Sequence, residues 1–223
     1  MGRLNPEVLR LYLVTDQSLM RGRPLADVVG AAVEGGVSCV QLREKHLGTR
    51  DFLAQALMLK KLLAPHRVPL VINDRIDIAL ACGAEGVHLG QSDLPVNEAR
   101  KLLPPDVFIG WSVESMDDVV NSAALPVDYL GVSPIFTTPT KTDTKTPWGL
   151  DGLAMVRAAT ASPLVAIGGI HVGNARDVLR AGADCLALVS ALCAAEYPHA
   201  AASALRALCD EELKMRESRK VSG

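Results

Sequence analysis

Apolar residues along this chain come in short runs. LRLYLVT (9–15), VPLVIN (68–73), DVFIGWS (106–112), VDYLGVS (127–133) and PLVAIGG (163–169) are too brief for helices and do not alternate cleanly with polar residues. Such runs predict strands buried on both faces, as in a parallel sheet. Three more runs end a repeated phrase: EGGVSCVQL from Glu34, ACGAEGVHL from Ala81 and RAGADCLAL from Arg180. Each phrase closes a helical pattern with glycine, turns within a few residues and enters an apolar stretch, which is the junction from helix to strand in a βα repeat. With the five above, these make eight strands.

Helical patterns fall between them. Phe52, Ala56, Leu59 and Leu63 mark one apolar face of a helix that Thr49 is placed to cap, and Ser115 with Asp118 and Asn174 with Asp177 read as further helix starts. Eight strands alternating with about eight helices in 223 residues predict a single-domain α/β protein, a compact (β/α)8 TIM barrel spanning 1–223. A last helix follows Pro198 and is expected to fray by about Glu217, leaving 217–223 as a tail. A doubly wound open sheet is the alternative, but no G-x-G-x-x-G follows the first strand, which ends in Thr15-Asp16-Gln17.

Composition narrows the function classes more than it narrows the fold. The chain is 49% hydrophobic and 22% charged, which is globular, and its 23 basic and 25 acidic residues form no run able to grip a nucleic-acid backbone. The longest stretch without Asp, Glu, Lys or Arg, from Ala158 to Ala175, holds Pro163, Gly168, Gly169 and Gly173, so no membrane span is expected. The start, MGRLNPEVLRLYLVTD, has neither an apolar signal core nor an Arg-rich amphipathic pattern, and a cytoplasmic location is expected. Cys39, Cys82, Cys185, Cys193 and Cys209 are odd in number, lie in apolar surroundings and form no C-x-x-C, so they read as reduced core thiols. A homo-oligomer is compatible with this surface.

In a barrel of this kind, functional side chains gather just after the strands. Polar residues concentrate there: Gln41-Leu42-Arg43-Glu44-Lys45, Asn73-Asp74-Arg75, His88-Leu89-Gly90-Gln91-Ser92-Asp93, Ser112-Val113-Glu114, the loop SPIFTTPTKTDTKTPWG, Gly168-Gly169-Ile170 and Val189-Ser190. Any one charged loop residue reads as a solvated side chain, but the repetition at seven of eight strand ends speaks against that reading. Arg43, Lys45 and Lys141 are cations suited to phosphate oxygens, and two carboxylates, Asp74 and Asp93, suit Mg²⁺ held together with a diphosphate. Taken singly, Asp74 could instead favour a helix start and Asp93 could be an N-cap before Pro95. The glycine pair 168–169, a helix start near Asn174 and the facing Val189-Ser190 fit the phosphate site that barrels form after strands seven and eight. His88 reads as a core or supporting residue, Trp111 and Trp148 as packing residues. Ser112 has no histidine in its own stretch, so it reads as a ligand-binding hydroxyl and not as a triad nucleophile.

YLVTD, VQLREK, INDR, GVHLGQSD, TTPTK, VAIGGI and VSAL follow one another from Tyr12 to Leu192 in the order and spacing of the thiamine phosphate synthase family, which this chain closely resembles. The resemblance implies a (β/α)8 barrel and a Mg²⁺-dependent alkyl transferase that joins hydroxymethylpyrimidine diphosphate to thiazole phosphate, releasing diphosphate. It implies that Gln41, Leu42, Arg43, Glu44 and Lys45, with Asn73, Ser112 and Lys141, hold the pyrimidine diphosphate. Arg43, Lys45, Ser112 and Lys141 would be the catalytic set, Asp74 and Asp93 the magnesium ligands. Thr138, Pro139 and Thr140 of the TTPTK loop, Gly169, Val189 and Ser190 would hold the thiazole phosphate. The chain departs from the family pattern at Glu114, where histidine is usual, and at Ser133, where glycine is usual. Serine at 133 is expected to make the loop less permissive, because it takes positive φ only at a cost. A thiazole tautomerase of the same fold is the alternative activity, although it would need no diphosphate site.

Overall fold

The computed structural model describes residues 4–137 and 146–221. Eight parallel strands close into a barrel in sequence order: β1 (Leu11–Val14), β2 (Cys39–Leu42), β3 (Leu70–Asn73), β4 (Gly86–Leu89), β5 (Phe108–Val113), β6 (Tyr129–Val132), β7 (Leu164–Ile167) and β8 (Cys185–Leu188). Between them run helices α1 (Leu25–Glu34), α2 (Thr49–Leu63), α3 (Ile76–Cys82), α4 (Val96–Leu102), α5 (Met116–Asn121), α6 (Gly149–Ala159) and α7 (Ala175–Arg180). A one-turn α8 (Ser190–Cys193) and the long α9 (Pro198–Val221) follow β8. The β8–β1 pairing, with Tyr12 opposite Ala187, closes the barrel and excludes the open doubly wound sheet.

The apolar runs look continuous in sequence because both strand faces are buried. Successive side chains point to opposite faces. Leu11, Leu13, Val40, Leu42, Leu70 and Ile72 belong to a shell packed between strands and helices, whereas Tyr12, Cys39, Val71, Phe108, Tyr129 and Val165 form the separate cluster inside the barrel. Each buried aliphatic side chain contributes about 1.5–3 kcal/mol. The outer shell therefore carries most of the stability, and the upper barrel is free to hold polar groups. All five cysteines are buried and free. Among the described residues, no helix is long and apolar enough to cross a membrane.

The repeated phrase has a physical purpose at the lower end of the barrel. Gly36, Gly83 and Gly182 all have positive φ, as the turn out of each helix requires. Just before each even-numbered strand, a polar side chain accepts an N–H from the odd strand beside it. Leu11 N donates to Ser38 Oγ (3.0 Å), Leu70 N to Glu85 Oε2 (2.9 Å), Ile109 N to Asp128 Oδ2 (2.8 Å) and Leu164 N to Asp184 Oδ2 (2.9 Å). Strand N–H groups at the rim are thereby satisfied without water.

Helix starts were legible in part. Ser115 Oγ accepts from Asp118 N (3.2 Å), capping the helix, and the Asp118 carboxylate reaches back to accept from Glu114 N (2.9 Å), one residue before the cap. Thr49 is not a cap: Gly48 occupies that position, and Thr49 Oγ1 accepts from Arg75 Nη2 (3.0 Å). Asn174 precedes α7 but its side chain turns back, donating to Gly169 O (2.9 Å) and accepting from His171 N (2.8 Å). The last helix continues past Glu217 to Val221. Upstream it is anchored by Glu212, buried between Arg176 and Arg180 of α7, and by Arg216, which donates to Ala183 O at 2.8 Å.

Candidate active site

The strands' C-terminal ends surround a cavity of about 430 Å³. Gln41, Arg43, Lys45, Asn73, Asp74, Asp93, Ser112, Gly169, Val189 and Ser190 all line it, as do His88, Glu114 and Ser133. Residues from seven strand ends, scattered from 41 to 190, thus meet in one hollow.

Two of the residues expected there are turned away. Leu42 is fully buried in the shell between barrel and helices, as its strand parity requires, and Glu44 accepts from Gln17 Nε2 (2.5 Å) outside the cavity. Neither side chain lines the hollow. Thr138, Pro139, Thr140 and Lys141 lie outside the described residues.

On the β2 side, Thr15 sets the exit of the strand. Its N–H donates to Gln41 O (2.9 Å) and its buried hydroxyl accepts from Arg43 N (3.1 Å), which directs Arg43 over the mouth. Thr15 belongs to no motif that marks chemistry along the chain. A β-branched hydroxyl ending a fully buried strand was the available signal.

Asp74 follows β3 with φ of +62°, a conformation that aspartate tolerates better than most residues. The tight turn is held by Asp74 N donating to His88 O (2.9 Å) and Arg75 N donating to Asn73 O (2.7 Å). It aims the carboxylate inward, where Asp74 accepts from Asn73 Nδ2 (2.7 Å) and pairs with Lys45. The first-turn acid of α3 is Asp77, so Asp74 does not serve that helix. Asp93 is not an N-cap either: Pro95 precedes α4, and Asp93 Oδ2 accepts from Gly90 N (2.6 Å). Burial pushes the Asp93 carboxyl up and the neighbouring Asp74 carboxylate adds to this, while the Gly90 N–H and Lys45 pull it down. Two acids thus converge where repulsion between them is only partly relieved by one lysine, an arrangement suited to a hard cation that completes its shell with other oxygens. Among the described residues no cluster of three or more potential metal-ligating side chains exists, so the two carboxylates would leave most coordination positions to phosphate and water.

The floor is a buried polar chain. Gln41 Nε2 lies 3.0 Å from Tyr12 Oη, Tyr12 Oη 3.1 Å from Tyr129 Oη, Tyr129 Oη 2.9 Å from His88 Nδ1, and His88 Nε2 2.9 Å from Ser112 Oγ. The barrel therefore brings to Ser112 a histidine that its own stretch lacks. That histidine's other nitrogen meets a phenol and not a carboxylate, so the set is not a hydrolytic triad. Two glycines make room for it: a Cβ at Gly110 would sit 2.0 Å from Tyr129 Cζ, and one at Gly131 would sit 2.9 Å from His88 Cε1. Asn73 Oδ1 is buried without a partner, an acceptor awaiting a donor from a ligand.

Opposite, Gly168 (φ +104°) and Gly169 (φ +65°) end β7 beneath the start of the long loop. Cβ atoms there would meet Pro134 Cβ at 2.9 Å and Phe136 Cβ at 2.7 Å, so both the turn and the close approach require glycine. Ser133 has no positive φ, so the strain expected of serine there does not arise; the bond to Pro134 is cis. A second hollow, lined by Phe136, Thr137, His171 and Asn174, shares Gly169, Ile170 and Ser190 with the main cavity.

A closed (β/α)8 barrel whose mouth joins paired cations, paired acids and a glycine-rich rim has the form of an enzyme acting on small molecules. Residues 11–192 match the family model described as thiamine monophosphate synthase, and the chain belongs to that family. It is 76% identical over 204 residues to a thiamine-phosphate synthase of Albidiferax ferrireducens, covering 92% of this chain and 93% of that protein. A thiamine-phosphate synthase of Leptospira biflexa is 51% identical over 200 residues, covering 88% and 95%. Among solved structures, the thiamine phosphate pyrophosphorylase from Pyrococcus furiosus superposes with a TM-score of 0.85 at 35% identity, covering 93% of this chain and 98% of that one. A 3-hexulose-6-phosphate synthase shares the fold alone, at TM-score 0.62 and 19% identity. The barrel does not decide the chemistry; the residues at its mouth do.

Proposed function

We propose that this chain catalyses the thiamine-phosphate synthase reaction in the cytoplasm, transferring the hydroxymethylpyrimidine group from its diphosphate to thiazole phosphate. The observation that carries the reading is the convergence of Asp74, Asp93, Lys45 and Arg43 at one side of the cavity, facing Gly169 and Ser190 at the other. This is a site for two phosphorylated ligands, one of them bound with a cation. A tautomerase would have no use for the first half. Five buried free thiols suit the reducing compartment.

Asp74 and Asp93 would hold Mg²⁺, which when bound neutralises charge on the diphosphate. Arg43, Lys45 and, in the TTPTK motif, Lys141 bind the same leaving group and stabilise the charge it gains as the bond from its oxygen to the pyrimidine methylene breaks. The pyrimidine amino group delocalises the positive charge left on that carbon. The thiazole nitrogen then closes the new bond with a lone pair it already has. No general base is needed, which accounts for a mouth rich in cations and hydroxyls. Gln41, Asn73 and Ser112 orient the pyrimidine, and Thr138, Thr140, Gly169, Val189 and Ser190 orient the thiazole phosphate.

This division predicts a split in Michaelis constants. Ser190→Ala raises KM for thiazole phosphate more than for pyrimidine diphosphate, since a hydrogen bond to a charged phosphate is worth about 1.5–3 kcal/mol. Arg43→Ala does the reverse and also lowers kcat. Steady-state kinetics with each substrate varied decides the matter, and exchanged effects would mean that the two halves of the site are assigned the wrong way round.

A further inference from the structure

The floor of the cavity has a direction. Tyr12 and Tyr129 are fully buried, and burial, with further contributions from their neighbours, holds both phenols well above their ordinary pKa, so each carries one proton. Gln41 Nε2 can only donate, so Tyr12 Oη receives its hydrogen bond. The thiol of Cys39 also lies beside Tyr12 but is the weaker acceptor, so the single Tyr12 proton goes to Tyr129 Oη, and the single Tyr129 proton to His88 Nδ1. A neutral imidazole accepting at Nδ1 carries its hydrogen at Nε2, which faces Ser112 Oγ. Ser112 therefore accepts from His88 and has its own hydrogen left for the cavity.

We propose that Tyr12, Tyr129 and His88 are positioning residues that fix Ser112 as a hydrogen-bond donor toward the bound ligand. The polarity is set from Gln41, on the far wall of the barrel. The role deepens the proposed function, because it requires the substrate atom at Ser112 to be an acceptor, such as a ring nitrogen or a phosphate oxygen. Reversal of the chain would turn Ser112 toward His88 and leave only an acceptor facing the ligand. Buried chains of this kind are set as a unit, since each hydroxyl has one proton to give. The stacked contact of His88 on Tyr129, with ring centroids 5.5 Å apart, holds the imidazole in register.

The test is the tautomer of His88, read by ¹⁵N NMR of histidine-labelled, ligand-free protein at a pH well above the usual histidine range. A His88→Gln variant assigns the signal. The expected parent spectrum has Nδ1 in the unprotonated range and Nε2 in the protonated range. Tyr129→Phe, which keeps the ring but removes the donor to Nδ1, is expected to release a population of the Nδ1–H tautomer. Gln41→Glu, whose ionised carboxylate only accepts, is expected to shift His88 the same way. An Nδ1–H tautomer in the parent, or an unchanged tautomer in Tyr129→Phe, would overturn the proposal. Because the readout needs no turnover, it is separable from any failure of the proposed reaction.

Discussion

Asp74→Asn is expected to lower turnover by about a hundredfold or more and to raise the Mg²⁺ concentration needed for half-maximal rate. The expectation follows from the turn after β3. With φ of +62° and its backbone held by His88 O, Asp74 has little freedom to move, and asparagine fits the same conformation. The substitution thus removes charge and leaves shape in place. Lys45 loses its partner, Asp93 loses the facing carboxylate that helps raise its pKa, and the pair can no longer share a divalent ion. Asp93→Asn should act in the same direction, since the Asp93 side chain is held by Gly90 N in a geometry that an amide oxygen reproduces. Titration of activity with Mg²⁺ in parent and variants checks this, and an identical metal requirement in all three would reject the assignment.

The second large effect concerns the order of bond breaking and bond making. An electron-withdrawing substituent on the pyrimidine ring should slow the reaction steeply, because it destabilises positive charge on the methylene carbon while scarcely changing ground-state binding. The reading rests on what the described lining residues offer, cations and hydroxyls placed to stabilise a departing diphosphate. Single-turnover rates across a series of substituted pyrimidine diphosphates measure the dependence. A flat or inverted series would indicate displacement in which the thiazole nitrogen bonds before diphosphate leaves.

The barrel was legible because its repeat is written twice over, in the glycine that ends each helix and in the short apolar run that follows. Gly36, Gly83 and Gly182 adopt the positive φ that their place in the phrase demands. Strand parity was not legible in the same way. When both faces are buried, Gln41 and Leu42 look like consecutive members of one motif, although one lines the cavity and the other packs against the helices. The placement of Glu44 was hidden for a different reason, since a loop carboxylate has no parity and its partner Gln17 lies 27 residues away. The link between Ser112 and His88 is likewise invisible along the chain, as it depends on β4 and β5 lying side by side with His88 opposite Gly110. Caps followed the same division. Ser115 with Asp118 and Asn174 with Asp177 both mark helix starts as the sequence implies, although the Asn174 side chain bonds Gly169 O and not the helix, while Thr49 was drawn off by Arg75.

On the proposed function, one cavity brings a pyrimidine diphosphate and a thiazole phosphate together and lets diphosphate leave. The direct measurement is a product assay on the purified chain with both substrates, with and without Mg²⁺, following diphosphate release and thiamine phosphate by chromatography. Equal amounts of the two products, dependent on both substrates and on Mg²⁺, are the predicted result. Diphosphate release without thiamine phosphate, or no product at any Mg²⁺ concentration, would contradict it.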